Sequence, residues 1–399
     1  ANVDAALGFT GWERPAPTDV QGKFLVALTP PRFVPGPRGY AQTPPPGFAG
    51  TIVIDPGTGP EPVRWPFFSS AVMSLLERPI PPAAPGTPMG LQFNPADAEE
   101  LFHGSPYTYA QLRAMADAGE RLPTFPLTVR LRAHLETQPF DATSDNVLAV
   151  LQGSDPALAT EYVVVSAHLD GYGVGEAVNG DSIYNGALDD AAYVATLIDL
   201  AQQLNESKRR FKRSVLFAVF TAEERGMLGS QHFVAHPTLP KEQLVANINL
   251  DTLRPIFPLT SLTTLGLDDS TLGDVARRVG ESMHVRIKAD AEPDRMLLRR
   301  SDQWSFIQAK IPAIAFVFGY EPQSEEETIY RRWYAERYHS PSDDVNQPWD
   351  PDAAARFNAF FARLLETVAN APARPRFKTA VAFDEPPPMP LRPLHKRTG

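Results

Sequence analysis

The sequence predicts an α/β protein whose sheet is at least partly parallel, accompanied by a smaller β-rich module. Two observations predict it. From Asn146 onward, short and nearly continuous apolar runs alternate with segments of helical periodicity. That is the pattern of strands buried on both faces and of the helices that cover them. Before residue 140 the chain is instead rich in Pro and Gly, with short β-type runs and no such alternation.

Taken in order, Lys23–Leu28 (KFLVAL), Gly50–Ile54 (GTIVI) and Leu127–Leu135 (LTVRLRAHL) read as strands. The last alternates apolar and polar residues, as a half-buried strand does. Ala96–Gly119 reads as helical pieces, and long Pro-rich connections are expected between the strands. In the second part the strand candidates are NVLAVLQG from Asn146, Tyr162–Ala167, Ser214–Phe220, Val245–Leu250 and Ile311–Phe318. After Asp190, the residues Val194, Leu197, Ile198 and Ala201 mark a helical stripe. A second stripe follows Asp352, through Phe357, Phe360, Phe361, Leu364 and Val368. Beyond Ala371 the chain is Pro- and Arg-rich without periodicity, an extended segment or a disordered end. The expected division is therefore 1–140, 141–371 and 372–399.

Composition narrows the function classes. Hydrophobic residues are 43% of the 399, so a packed core is available and full disorder is excluded. A net charge of −10 argues against a nucleic-acid or anionic-membrane partner. With no Cys, disulfides, thiolate nucleophiles and Cys-type zinc sites are excluded. No apolar run reaches the roughly 18 residues of a membrane span. The start, ANVDAALGFTGWERP, lacks the basic stretch and apolar core of a signal peptide. The expectation is that targeting was removed or that the chain begins inside a longer precursor.

Ligand-type side chains stand where the buried strands end, the place where open α/β sheets build sites. YVVVSAHLDG brings His168 and Asp170, and a carboxylate beside an imidazole can fix its tautomer. NGALDDAA brings Asp189 and Asp190, which also read as an acidic first helical turn. SVLFAVFTAEERGMLGS brings Glu223 and Glu224, adjacent carboxylates that repel each other unless a cation is near. One could bind metal while the other moves protons. VANINLDT ends in Asp251, and RYHSPSDD carries His339 in a loop with Asp343 four residues on. Each motif alone is also a plain strand end or helix cap; their joint occurrence is what counts. The two imidazoles and three carboxylates of His168, Asp189, Glu224, Asp251 and His339 suit zinc. Three carboxylates, two divalent ions and one bridging hydroxide sum to zero charge. A single zinc would leave ligands in excess and no open position.

The ordered set AHLDG, NGALDD, TAEERGMLGS, NLD and YHSPSDD resembles the cocatalytic zinc aminopeptidases and glutamate carboxypeptidases of peptidase family M28. The resemblance spans Asn146 to Asn370. It implies a three-layer sandwich with a mixed, mostly parallel sheet. It implies two zinc ions per chain, His168 and Asp251 on one, Glu224 and His339 on the other, and Asp189 bridging. Glu223 is then the general base, with Asp170 behind His168, and Tyr338 the candidate donor to the oxyanion. DVQGKFLVAL followed by GFAGTIVIDP is similar to the protease-associated domain often inserted in this family. The chain departs from the pattern at Ala192 and Tyr193, where the family usually carries Ser-Gly. The family segment ahead of the inserted domain is not found, so the catalytic sheet is expected to lack its first elements.

The activity so implied is peptide hydrolysis through a metal-bound hydroxide, most simply removal of amino-terminal residues. The alternatives are a carboxypeptidase, a single-zinc glutaminyl cyclotransferase and a non-catalytic binding relative. The run Arg299, Arg300, Ser301, Asp302 is similar to the stretch that lines the aminopeptidase pocket; its arginines also read as a carboxylate clamp or as a solvated charge run. Similar proteins are mostly exported, which implies an extracellular or periplasmic location. A peptide substrate is the expected partner, with no nucleic acid and no membrane span. The sequence leaves the oligomeric state open.

Overall fold

A computed structural model describes residues 2–9, 21–28, 47–54, 73–79, 88–134, 136, 138–251 and 253–378. The first sheet is built from β1 (Asn2–Phe9), β2 (Phe24–Leu28), β3 (Gly50–Ile54), β4 (Met89–Phe93) and β5 (Phe125–His134), in the order β4-β3-β2-β1-β5. Strands β1 to β4 pair in parallel, and β5 returns antiparallel to β1. Helix α1 (Tyr109–Asp117) and the turn Pro95–Phe102 pack on this sheet around Phe9, Phe24, Ile52, Phe102 and Leu112. The expected strands are therefore present, although Leu135 and most of the Pro-rich connections lie outside the described residues.

The second part contains β6 (Val147–Leu151), β7 (Tyr162–His168), the hairpin β8 (Gly173–Val178) and β9 (Asp181–Tyr184), and α2 (Ala192–Glu206). There follow β10 (Ser214–Phe220), α3 (Leu228–Ala235), β11 (Leu244–Asn249), β12 (Ser261–Leu265), α4 (Thr271–Ser282), β13 (Arg286–Ala289), α5 (Gln303–Gln308), β14 (Ala313–Phe318), α6 (Glu325–Glu336) and α7 (Pro351–Asn370). Seven strands form one sheet in the order β13-β12-β14-β11-β7-β10-β6. It is mixed and mostly parallel: β10, β7, β11 and β14 run together, while β6 and the β12–β13 pair run against them.

Successive residues of the central strands serve opposite layers. Val163 and Val165 join the core under α2, α4, α6 and α7, whereas Val164 joins the core under α3 and α5. That alternation is why the runs are apolar without interruption. The stripe after Asp190 is corrected in detail. The buried face of α2 is Tyr193, Leu197, Leu200 and Leu204, and Ile198 is 62% exposed. The buried face of α7 carries Phe357, Phe360, Phe361, Leu364 and Val368 as expected.

The segment after Ala371 is tied down as far as the description reaches. Arg374 Nε donates to Glu161 Oε1 at 2.8 Å, and Arg213 Nε reaches Oε2 of the same carboxylate at 2.6 Å. Phe377 bridges to Ser270, and Lys378 pairs with Asp274. Residues 379–399 lie outside the described residues. No helix among the described residues is long and apolar enough to cross a membrane.

Candidate metal centre

Strand β7 lies inside the sheet, with β10 and β11 parallel to it on either side. Their three carboxyl ends are therefore neighbours. His168 is the last residue of β7 and is 1% exposed. Its backbone N–H donates to Asp190 Oδ2 at 2.9 Å. Its Nδ1 lies 2.9 Å from the carbonyl oxygen of Asp170. A carbonyl only accepts, so Nδ1 carries a proton and Nε2 is the nitrogen turned into the pocket. Nε2 faces Asp189 Oδ1 at 3.3 Å and Asp251 Oδ1 at 3.9 Å.

Asp189 stands between the two imidazoles. Its Oδ2 is 3.3 Å from His339 Nε2, which is also 3.4 Å from Glu224 Oε2. The backbone N–H groups of Leu188 and Asp189 donate to the two oxygens of Asp343 at 2.9 and 3.1 Å. This holds the turn away from helical geometry: Asp189 has φ −133° and ψ 68°, Asp190 φ −143° and ψ 18°. The reading of the pair as an acidic first helical turn is thus corrected, because both side chains turn into the pocket. His339 sits in left-handed backbone at φ 54°, uncommon for a residue with a Cβ and frequent where function fixes the chain. The Tyr172 hydroxyl lies 3.1 Å from His339 Nδ1.

Two groups of donors result: His168, Asp190 and Asp251, and Asp189, Glu224 and His339. All five residues expected as ligands are brought together, with Asp189 facing both imidazoles. The structure adds Asp190. Asp170 lies behind His168. Its carboxylate accepts from the backbone N–H groups of Glu223 and Glu224 at 2.9 and 3.1 Å, and lies 3.7 Å from His168 Nδ1. Asp170 therefore orients the imidazole through its carbonyl and the glutamate turn through its carboxylate.

The electrostatics are those of crowded, buried carboxylates. Burial pushes Glu224 up to about 7, with Asp189 adding to the effect against His339. Burial also raises Asp251, Asp190 and Glu223, and takes Asp302 to about 7. Asp189 goes the other way, because His168 and His339 outweigh the cost of its burial and hold it below the usual carboxylate range. Burial pulls His168 down, but the surrounding carboxylates overcome it and raise it well above an ordinary histidine.

Asp189 Oδ2, Asp190 Oδ1 and Asp251 Oδ1 are buried with no hydrogen-bond partner among the described residues. Unsatisfied buried carboxylate oxygens are costly unless a cation meets them. The donor set is nitrogen and oxygen only, which suits zinc. The 3.3 and 3.4 Å contacts of His339 match the donor–donor edge of about 3.4 Å in a zinc tetrahedron with bonds near 2.1 Å. The residues present therefore fit a pair of such ions.

Neighbouring side chains complete the pocket wall. Asn249 at the end of β11 donates to Ser301 Oγ at 3.0 Å and to Gln303 Oε1 at 2.8 Å, which fixes the Ser301–Asp302 stretch beside Asp251. Arg299 lies over the Trp304 ring at 5.0 Å, so it is not simply a solvated charge. Tyr338 stacks on His339 with ring centroids 3.6 Å apart. Behind it, buried Arg254 is enclosed by the rings of Tyr334, Trp333, Tyr330 and Tyr338, at 4.1, 4.8, 5.3 and 5.8 Å. The Tyr193 hydroxyl accepts the backbone N–H of Arg254 at 2.9 Å. The sequence reading missed Asp190 as a donor, Asp343 as a brace, Tyr172, and the Arg254 enclosure. Only the first two stand inside the motifs quoted for the site.

The model of peptidase family M28 matches residues 146–365, more than half of the chain. The chain belongs to peptidase family M28. Among curated M28 relatives, aminopeptidase YwaD of Bacillus subtilis (strain 168) is 26% identical over 225 residues, covering 55% of this chain and 44% of that protein. Carboxypeptidase Q of Rattus norvegicus is 30% identical over 143 residues, covering 35% and 27%. The chain thus spans less than half the length of these curated relatives. A solved structure of BSAP, a zinc aminopeptidase from Bacillus subtilis, superposes with a TM-score of 0.52 at 16% identity, covering 94% of this chain and 77% of that one. At that identity the likeness speaks to the fold alone.

Replacing Tyr193 by Phe strips the acceptor from a buried N–H. The expected cost is about 1–3 kcal/mol, read by urea denaturation. The raised carboxylates also set a pH dependence. Glu224, Asp302 and Asp343 (about 7, about 7 and about 6) hold protons in the folded state that the unfolded chain releases. Stability of the metal-free protein is therefore expected to fall as pH rises from about 5 to about 7.5. His168 acts in the same direction, and Asp189 acts oppositely only below the usual carboxylate range. Thermal melts across that range check the slope, and added zinc is expected to flatten it.

Proposed function

We propose that the chain is a two-zinc exopeptidase that releases amino-terminal residues from peptides. The observation that carries the reading is Asp189 with one oxygen toward each imidazole, in a pocket where Asp190 Oδ1 and Asp251 Oδ1 have no hydrogen-bond partner among the described residues. On this reading His168 and Asp251, with Asp190 beside them, would hold one zinc, Glu224 and His339 would hold the other, and Asp189 would serve both. Bound zinc supplies Lewis acidity, which brings the pKa of water toward about 7 and polarises the scissile carbonyl.

Glu223 is the general base. It is 9% exposed, and burial among Asp251, Glu224 and Asp302 raises its pKa well above the ordinary value. It is thus suited to take a proton from the attacking water and return one to the leaving amine. Asp170 holds its backbone in place. Tyr338, stacked on His339, donates to the developing oxyanion. The acidic balance favours an ammonium at the substrate's end. Glu223 and Asp302 stand beside the donor set and offer carboxyl oxygens to such an ammonium. The names of the YwaD and BSAP relatives support the same choice. The reading includes a protease-associated-like module over residues 1–140, supported by a separate sheet with its own core, and an extracellular or periplasmic location, which follows from the resemblance.

Glu223→Gln is expected to lower kcat by several orders of magnitude while two zinc ions remain bound, as read by metal analysis of the same sample. Turnover close to wild type would remove Glu223 from the role of base. Aminoacyl-anilides are expected to be cleaved and amino-blocked peptides to be refused. Cleavage of blocked peptides from their carboxyl end would instead favour the carboxypeptidase reading.

A further inference from the structure

Outside the deep centre, a second kind of donor cluster forms on the surface. His232 lies in α3, and His236 is the residue that ends that helix. Residues four apart on a helix share one face, and these rings have centroids 4.9 Å apart. Glu77 arrives from the described segment 73–79, far earlier in the chain. One of its oxygens, Oε1, lies 3.2 Å from His232 Nδ1 and 3.6 Å from His236 Nε2. The donor atoms of all three residues fall within 4.8 Å of one another.

A simple His–Glu hydrogen bond explains only part of this. It needs one imidazole, and a separation of 3.6 Å is too long for a second bond. Two ring nitrogens directed at one carboxylate oxygen, at separations bracketing the roughly 3.4 Å edge of a zinc tetrahedron, describe three corners of a coordination shell. The deep centre shows the same spacing at His339, at 3.3 and 3.4 Å. A pair of histidines at i and i+4 on a helix is an established way to hold zinc from one face. The side chains are 41–58% exposed, so water can fill the fourth corner and no buried charge has to be matched.

We propose that Glu77, His232 and His236 form a third divalent-metal site of zinc type, which clips segment 73–79 to helix α3. Helix α3 starts four residues after Glu224, so the clip joins the amino-terminal part of the chain to the element that follows the glutamate turn. The site shares no ligand with the deep centre and does not depend on the peptidase reading.

The test is a zinc titration of the metal-free full-length chain, followed by calorimetry and by metal analysis after gel filtration. Wild type is expected to take three equivalents. His232→Ala and His236→Ala, made separately, are expected to take two, and Glu77→Gln to bind the third at least about tenfold more weakly. All are expected to melt like wild type without metal, since the three side chains are on the surface. Asp189→Asn separates the two ideas: it cripples the deep centre and leaves one equivalent that His232→Ala then removes. If wild type and His232→Ala take the same number of ions with the same affinities, the surface site does not exist. If a third equivalent persists in both histidine variants, it lies elsewhere and the assignment is equally overturned.

Discussion

The organising constraint is negative charge confined in a pocket that little water reaches. Glu224 and Asp251 follow the carboxyl ends of β10 and β11, Asp189 and Asp190 stand in the turn before α2, and all four are buried or nearly so. Carboxylates packed this closely destabilise one another, and hydrogen bonds from the protein satisfy only some of their oxygens. The fold accepts the arrangement because backbone amides hold the turns. Asp343 fixes the turn of Asp189, and Asp170 fixes the turn of Glu223 and Glu224. What those amides leave unbalanced, cations complete.

The support for this pocket is largely aromatic and amide-rich. Arg254 brings a guanidinium into the interior next to Asp251, and rings enclose it. Its hydrogen bonds go to tyrosine hydroxyls. The same rings back Tyr338, which in turn lies flat on His339. His339, although it stands in a loop, is thereby backed by packed rings. Tyr172 presses on its other side, with ring centroids 4.5 Å apart.

The catalytic sheet could be read from the sequence because its strands are buried on both faces, which leaves an unbroken apolar signal. His168 and Asp251 end such runs, so their exposure to a common pocket followed from topology. Asp189 and Asp190 were harder, since acidic residues before a helix are ordinary caps, and only Asp343, far along the chain, makes them turn inward. The α2 stripe was misjudged at Ile198 because Tyr193, anchored on the Arg254 backbone, sets the rotation of the helix. Elements without an apolar run, such as the β8–β9 hairpin and β13, left no clear trace. Glu77 and His232 are 155 residues apart, and no local pattern could join them.

One feature at the opposite end of the sheet bears on the pocket. Glu161 immediately precedes β7 and is gripped by Arg213 from the start of β10 and by Arg374 from beyond α7. The strand that delivers His168 is thus fastened at its root to its neighbour and to the chain that follows the last helix. An imidazole at the tip of a strand clamped at its base has little room to slide along its axis. Arg374, past the last helix, thereby helps set how far that imidazole projects.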